Sequence, residues 1–283
     1  MIEIEVVGNR KSQWGEGPVW WKDALYYVDI EKHEVCMFSP ETGEEKSWNV
    51  GQRVGFVVPR NSGGFIIGGD NGLFFFNEET GKTVAINDPE PDKADNRFND
   101  GKCSPDGNLF AGTISLVKKT GDAKLYRLCP ELLISEAFLD ATNSNGLAWS
   151  EDGNTLYFID TPRKGVIAFD YEDGLLRNER VVVSTKHHDA SPDGMTIDSE
   201  GNLWIAFCHG SCVACFDPRT GEEVRKIDLP CMETTSCTFG GPFHSDLFVT
   251  TGIHKSEVEE NAGRLFRIRG LGVSGLPAHS FAG

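Results

Sequence analysis

The stretch Glu16-Gly17-Pro18-Val19-Trp20-Trp21, Lys22-Asp23, Ala24-Leu25-Tyr26-Tyr27-Val28-Asp29 sets the architecture. It reads as a polar residue and a glycine, a short apolar run, a tight turn and a second apolar run, the pattern of two paired strands. The phrase returns as Val54-Gly55-Phe56-Val57-Val58, a turn over residues 59–64, and Phe65-Ile66-Ile67. It returns again from Asp100-Gly101, Asn145-Gly146 and Asp193-Gly194, and in a weaker form from Thr235-Ser236 to Leu247-Phe248-Val249-Thr250. The anchors at 17, 55, 101, 146, 194 and 236 lie 38, 46, 45, 48 and 42 residues apart.

A second marker keeps the same phase. Turn signals end at Gly43, Gly81, Gly174 and Gly221, which fall 26, 26, 28 and 27 residues after their anchors; Cys129-Pro130 holds that place in the third unit. Six units of four short strands predict a single all-β domain over residues 1–283, a six-bladed β-propeller with four antiparallel strands per blade. A pair of β-sandwiches would supply strands and turns but no reason for six phased copies. Ile2–Val7 and Arg264–Arg269 both alternate polar and apolar residues. Pairing them in one blade closes the ring and removes its exposed edges.

Composition narrows the function. Lys and Arg number 27 against 43 Asp and Glu, for a net charge of −16. This disfavours a nucleic-acid binder, whose first requirement is positive charge against phosphate, and an anionic membrane surface. No apolar run approaches a membrane span, and the first residues lack the basic start and apolar block of a secretory signal. The eight cysteines are therefore expected to be reduced thiols of a cytoplasmic protein. Cys212-Val213-Ala214-Cys215, beside Cys208 and His209, has metal-ligand spacing, but strand residues three apart face opposite ways. Small, buried, inert thiols are the expectation.

The chemistry lies where the repeat breaks. Just before the anchors stand Glu16, Val54, Asp100, Asn145, Asp193 and Thr235. Propeller symmetry brings these to the channel mouth, and Glu16, Asn145 and Asp193 there form an all-oxygen set suited to a hard divalent cation. Asp-Gly and Asn-Gly are also ordinary turn formers. The sequence contains its own control, because Ser104-Pro105-Asp106-Gly107 and Ser191-Pro192-Asp193-Gly194 are identical tetrapeptides at different phases. The first falls between two strands and reads as a hairpin; the second opens an inner strand. Arg97 and Asn99, in Arg97-Phe98-Asn99-Asp100-Gly101-Lys102, add donors for hydroxyls or a carbonyl, and Asp100 adds a carboxylate.

With these motifs in place the chain resembles the senescence marker protein/gluconolactonase family, also called regucalcin-like, over essentially its full length. The matching stretches are residues 15–20, 97–102, Phe110-Ala111-Gly112-Thr113, 144–149, 192–198 and Ser236-Cys237-Thr238-Phe239-Gly240-Gly241. The resemblance implies a propeller holding one divalent cation through Glu16, Asn145 and Asp193, with Asn99 touching the metal or the substrate and Arg97 the substrate. It implies Asp193 as general base, with Asp100 the second candidate, and hydrolysis of a sugar lactone to its aldonic acid. Ca²⁺ is the first expectation; Mg²⁺, Mn²⁺, Zn²⁺ and Fe²⁺ are alternatives. Some animal members carry a substrate-contacting Glu where this chain has Leu116-Val117-Lys118-Lys119, so sugar preference does not transfer.

No Gly-x-Ser-x-Gly elbow is present, so direct attack by water is favoured over an acyl-enzyme. Two other classes compete: a non-catalytic calcium-binding protein, and a propeller scaffold with a dispensable mouth. A related esterase acting on non-sugar lactones is a nearer alternative. His187-His188-Asp189 and the acidic group Glu257, Glu259 and Glu260 read as solvated loops, Trp20 and Trp21 as core, and Phe74-Phe75-Phe76 as a buried strand. Trp14 is a candidate for stacking on a sugar ring.

Overall fold

The computed structural model describes residues 1–253 and 259–283; Glu257 of the expected acidic loop lies outside the described residues. Among the described residues, twenty-four strands form six four-stranded antiparallel sheets. Five blades use consecutive strands. The sixth runs from Thr234–Gly240 through Asp246–Thr251 and Leu265–Arg269 to the N-terminal strand Glu3–Val7. The closing register pairs Glu3 with Arg269 and Val7 with Leu265, and Arg267 Nε donates to Glu5 Oε1 across it at 2.7 Å. Among the described residues the sole helix is the short 3₁₀ turn Thr161–Arg163, and no helix is long and apolar enough to cross a membrane.

Each buried apolar cluster straddles one blade interface, so the core is a ring of six wedges. Trp204 and Val213 of blade five meet Phe239 and Val249 of blade six, for example, and Trp20 of blade one stacks on Phe248 of blade six at 5.5 Å. Each fully buried side chain of this size contributes about 1.5–3 kcal/mol. Cys212 packs in the wedge between blades four and five, and Cys215 in the next, as period-two alternation requires. All eight cysteines are unbridged and buried, and burial pushes Cys36 up to about 12. Phe74, Phe75 and Phe76 lie on the third strand of blade two, with Phe76 buried and Phe75 under the Arg60 guanidinium at 4.0 Å.

The inner strands are Gly15–Trp21, Val54–Pro59, Asn96–Cys103, Ser144–Trp149, Ser191–Ile197 and Thr234–Gly240. Every one carries a register slip near its anchor, as between Ser144 and Leu147, Pro192 and Met195, and Phe98 and Asp100. The repeated glycine phrase is thus the signature of a β-bulge, which re-aims a side chain and bends the strand. Gly146 shows why glycine is needed: an added Cβ would stand 2.5 Å from Met195 Cβ and 2.9 Å from the Asp193 carbonyl oxygen of the next blade. The six strands approach one another this closely around the axis, leaving room for side chains at the mouth above.

Candidate metal and catalytic site at the channel mouth

The bulges decide which side chains reach the mouth. Glu16, Arg97, Asn99, Asn145 and Asp193 all line one cavity of about 620 Å³. Glu16 and Asp193 are 5% and 7% exposed, so these carboxylates have surrendered most of their water. Among the described residues neither forms a salt bridge with Lys or Arg. Burial first, then the Asp193 charge, raises Glu16 well above the usual carboxylate range; burial, then Asp100 and Glu233, does the same to Asp193. Burial and like charge disfavour the ionised form of both acids, and a cation held between them would offset that cost.

A chain of amides fixes the third oxygen. Asn145 Nδ2 donates to Thr161 Oγ1 at 2.8 Å, and that hydroxyl donates to the Pro192 carbonyl at 2.9 Å, tying blade four to blade five. Asn145 therefore presents Oδ1 as an acceptor, taken by Asn99 Nδ2 at 3.1 Å. Asn99 Nδ2 also reaches the Ser144 carbonyl at 2.8 Å, and its Oδ1 accepts from Arg97 Nη1 at 2.8 Å. Burial, aided by the Arg53 charge, lowers Arg97 to about 10, which leaves a cation at neutral pH. Its Nε is buried with no hydrogen-bond partner among the described residues, a donor held in reserve. Two carboxylates and the Asn145 amide oxygen, with Asn99 beside them, are a hard-cation donor set, so a divalent metal fits these residues.

Asp100 is placed elsewhere. In blade three the unpaired bulge residue is Asn99, one position before the anchor pair, so Asn99 takes the mouth place and Asp100 turns to the other side. Asp100 lines a narrow cavity of about 70 Å³ together with Lys102 and His279. It accepts from Gly101 N at 2.7 Å; burial raises its pKa, and the Lys102 ammonium opposes that shift. It reaches the mouth only as a charge that both Glu16 and Asp193 feel.

Several cavity residues had no signal in the repeat. Thr161 follows a second strand, where no anchor marks it, yet it orients Asn145. Cys208 and His209, named in the sequence beside the paired cysteines but read there as inert, line the wall, with Glu233 behind them. Leu116 and Lys118 also line the cavity, and Trp14 stands at it. His187 and His188 sit elsewhere: His188 stacks on Phe207 at 4.2 Å and meets Glu223 at 2.7 Å, outside the cavity lining.

Comparison with known proteins agrees with this fold. A family model described as SMP-30/Gluconolactonase/LRE-like region matches residues 14–253. Regucalcin of Danio rerio is 39% identical over 293 residues, covering 100% of this chain and 99% of the relative; that of Gallus gallus is 38% identical with the same coverage. A luciferin-regenerating enzyme superposes with a TM-score of 0.92 over 100% of both chains at 28% identity. A gluconolactonase from Xanthomonas campestris has a TM-score of 0.77 at 22% identity, over 95% of this chain and 89% of that one, a likeness of fold. This company supports a lactonase-type activity, and the chain belongs to the SMP-30/gluconolactonase/LRE-like family of six-bladed β-propellers.

Proposed function

We propose that the chain is a divalent-metal-dependent hydrolase that opens a sugar lactone to its aldonic acid. The observation that carries this reading is the pair of buried carboxylates, Glu16 and Asp193, converging with the Asn145 amide oxygen in a cavity that also holds Arg97 and Asn99. Glu16, Asn145 and Asp193 would hold the cation, with Asn99 beside it. When bound, such an ion supplies a Lewis acid for the carbonyl and lowers the pKa of water.

The rest falls to the chain's own side chains. Arg97, with an unused Nε, and Asn99 hold ring hydroxyls or the carbonyl in place, turning a bimolecular attack into an oriented one. Asp193 takes the proton from the attacking water. Asp100, the other candidate, lies in the cavity beyond and acts on the mouth through its charge. Leu116 and Lys118 stand on the cavity wall where some animal members carry a substrate-contacting Glu, so the choice of sugar is left to the lactone panel. A net charge of −16 favours departure of an anionic product over re-entry.

The name regucalcin among the relatives favours a second reading, a calcium-binding protein without turnover. The deciding experiment is proton release from a panel of aldonolactones by chelator-stripped protein, with Ca²⁺, Mg²⁺, Mn²⁺, Zn²⁺ and anaerobic Fe²⁺ restored singly. Cation-dependent release above background supports the enzyme. Cation binding with no aldonolactone opened removes the sugar-lactonase reading and leaves an esterase acting on non-sugar lactones and the calcium-binding reading.

A further inference from the structure

Beside the oxygen donors, the wall of the mouth carries a second cluster of different chemistry. Cys208 ends the second strand of blade five, Leu203–Cys208, and His209 begins the turn that follows. Glu233 comes from the segment leading into the inner strand of blade six. Its carboxylate is 1% exposed, and among the described residues it has no Lys or Arg partner. Three groups converge on it. Cys208 Sγ donates to Oε2 at 3.3 Å, His209 N donates to Oε2 at 3.2 Å, and His209 Nδ1 stands 3.0 Å from Oε1.

The backbone is bent to make this possible. His209 has φ of 63°, in the left-handed region that a non-glycine residue enters at a cost. That conformation turns both its amide and its ring toward Glu233. A thiol sulfur, an imidazole nitrogen and a carboxylate oxygen thus lie within 4.8 Å of one another, two blades contributing.

We infer that Cys208, His209 and Glu233 form a second divalent-cation site, of the Zn²⁺ class, on the wall of the mouth. Zinc bonds of 2.0–2.3 Å in a tetrahedron place ligand atoms about 3.3–3.6 Å apart. Glu233 Oε2 stands 3.3 Å from the Cys208 sulfur and 2.8 Å from His209 Nδ1, so these two pairs open by about half an ångström or less, while the sulfur and nitrogen lie within 4.8 Å of each other. A mixed sulfur, nitrogen and oxygen set selects a borderline-soft ion, whereas the all-oxygen set of Glu16, Asn145 and Asp193 selects a hard one. Thiolate and carboxylate together supply two negative charges, which a divalent ion neutralises; the thiol proton leaves to solvent as the metal binds. Cys208 and His209 face the cavity, so the fourth coordination position opens toward it, as in sites that keep a place for water or substrate. The inference does not depend on lactone hydrolysis.

Anaerobic titration of the chelator-stripped full chain with Co²⁺ tests it. Cobalt bound to a thiolate gives a sulfur-to-metal charge-transfer band that an all-oxygen site cannot give. We expect two equivalents bound, one with the band. Cys208→Ser should abolish the band and one equivalent while the other still binds, which also shows the variant folded. Asn145→Ala should do the reverse. His209→Asn should weaken Zn²⁺ binding by more than about a hundredfold, beyond the loss expected for a mere hydrogen-bonding neighbour of a ligand. A single equivalent without the band, or a band that survives Cys208→Ser, overturns the site. Loss of lactone turnover with the band intact would instead count against the enzymatic reading alone.

Discussion

Ser104-Pro105-Asp106-Gly107 and Ser191-Pro192-Asp193-Gly194 are the same four residues in two environments. The first closes a hairpin between strands Asn96–Cys103 and Leu109–Ser115: Gly107 N donates to the Ser104 carbonyl at 2.9 Å and Gly107 takes φ of 81°. Asp106 is exposed and satisfied locally, accepting from the Ser104 hydroxyl and from Tyr171 Oη at 2.7 Å. The second tetrapeptide opens an inner strand, and its bulge drives Asp193 into a buried cavity facing Glu16. Local sequence makes the turn former; the phase at which the ring presents it makes the buried, cavity-facing carboxylate. The pKa directions follow. Burial raises Asp106, but hydrogen bonds from Ser104 and Tyr171 outweigh it and leave a net lowering, whereas burial and neighbouring acids raise Asp193.

Removing each carboxylate is the sharpest way to break the comparison. Asp193→Ala should reduce cation-dependent turnover by about a hundred- to ten-thousandfold with the far-ultraviolet circular dichroism unchanged. Full activity in that variant would sink the site. Cation should matter next. At a concentration about 100 times its Kd, an ion bound only by the folded chain adds about 2.7 kcal/mol, read as a rise in Tm over chelated protein.

Acid should separate the two carboxylates by sign. Glu16 and Asp193 have raised pKa values in the folded, metal-free chain, so their burial destabilises it at neutral pH and that cost is relieved as pH falls through their folded values. Asp106 has a lowered one, so its contribution is full above the ordinary carboxylate range and is lost as pH falls through its folded value. The stabilisation by cation should accordingly shrink on acidification, while the cost of Asp106→Ala shrinks only at lower pH. An unchanged cation effect from neutrality down to the ordinary carboxylate range would contradict this.

Smaller effects test the supports. Thr161→Val, which frees the Asn145 amide and the Pro192 carbonyl, should weaken cation binding by about tenfold, measured by calorimetry. Asp106→Ala should cost about 1–2 kcal/mol in urea unfolding with turnover untouched, and Tyr171→Phe somewhat less, about 1 kcal/mol.

The same contrast explains what the sequence disclosed. The ring of blades was readable because each bulge needs a glycine or small residue where neighbouring strands crowd, and that requirement repeats. Glu16, Asn145 and Asp193 were readable as departures from the repeat. Asp100 was readable as a carboxylate at the anchor but not in its direction, because the blade-three bulge sits one residue early, at Asn99. Thr161 and Glu233 enter from the ends of strands and from connecting segments, where no periodic requirement fixes a residue type, and Cys208 and His209 meet Glu233 only where blade five packs against blade six in the closed ring.

That closure also sets an order of events. Glu3–Val7 leaves the ribosome long before its partner Leu265–Arg269. Throughout synthesis the early strand must wait without its ladder while the other blades gather around their wedges. The final contact spans nearly the whole chain, the kind of pairing that slows folding and exposes an edge meanwhile. A chain interrupted before Leu265 would leave blade six with two strands and an open seam, ready to accept the corresponding strand of another copy.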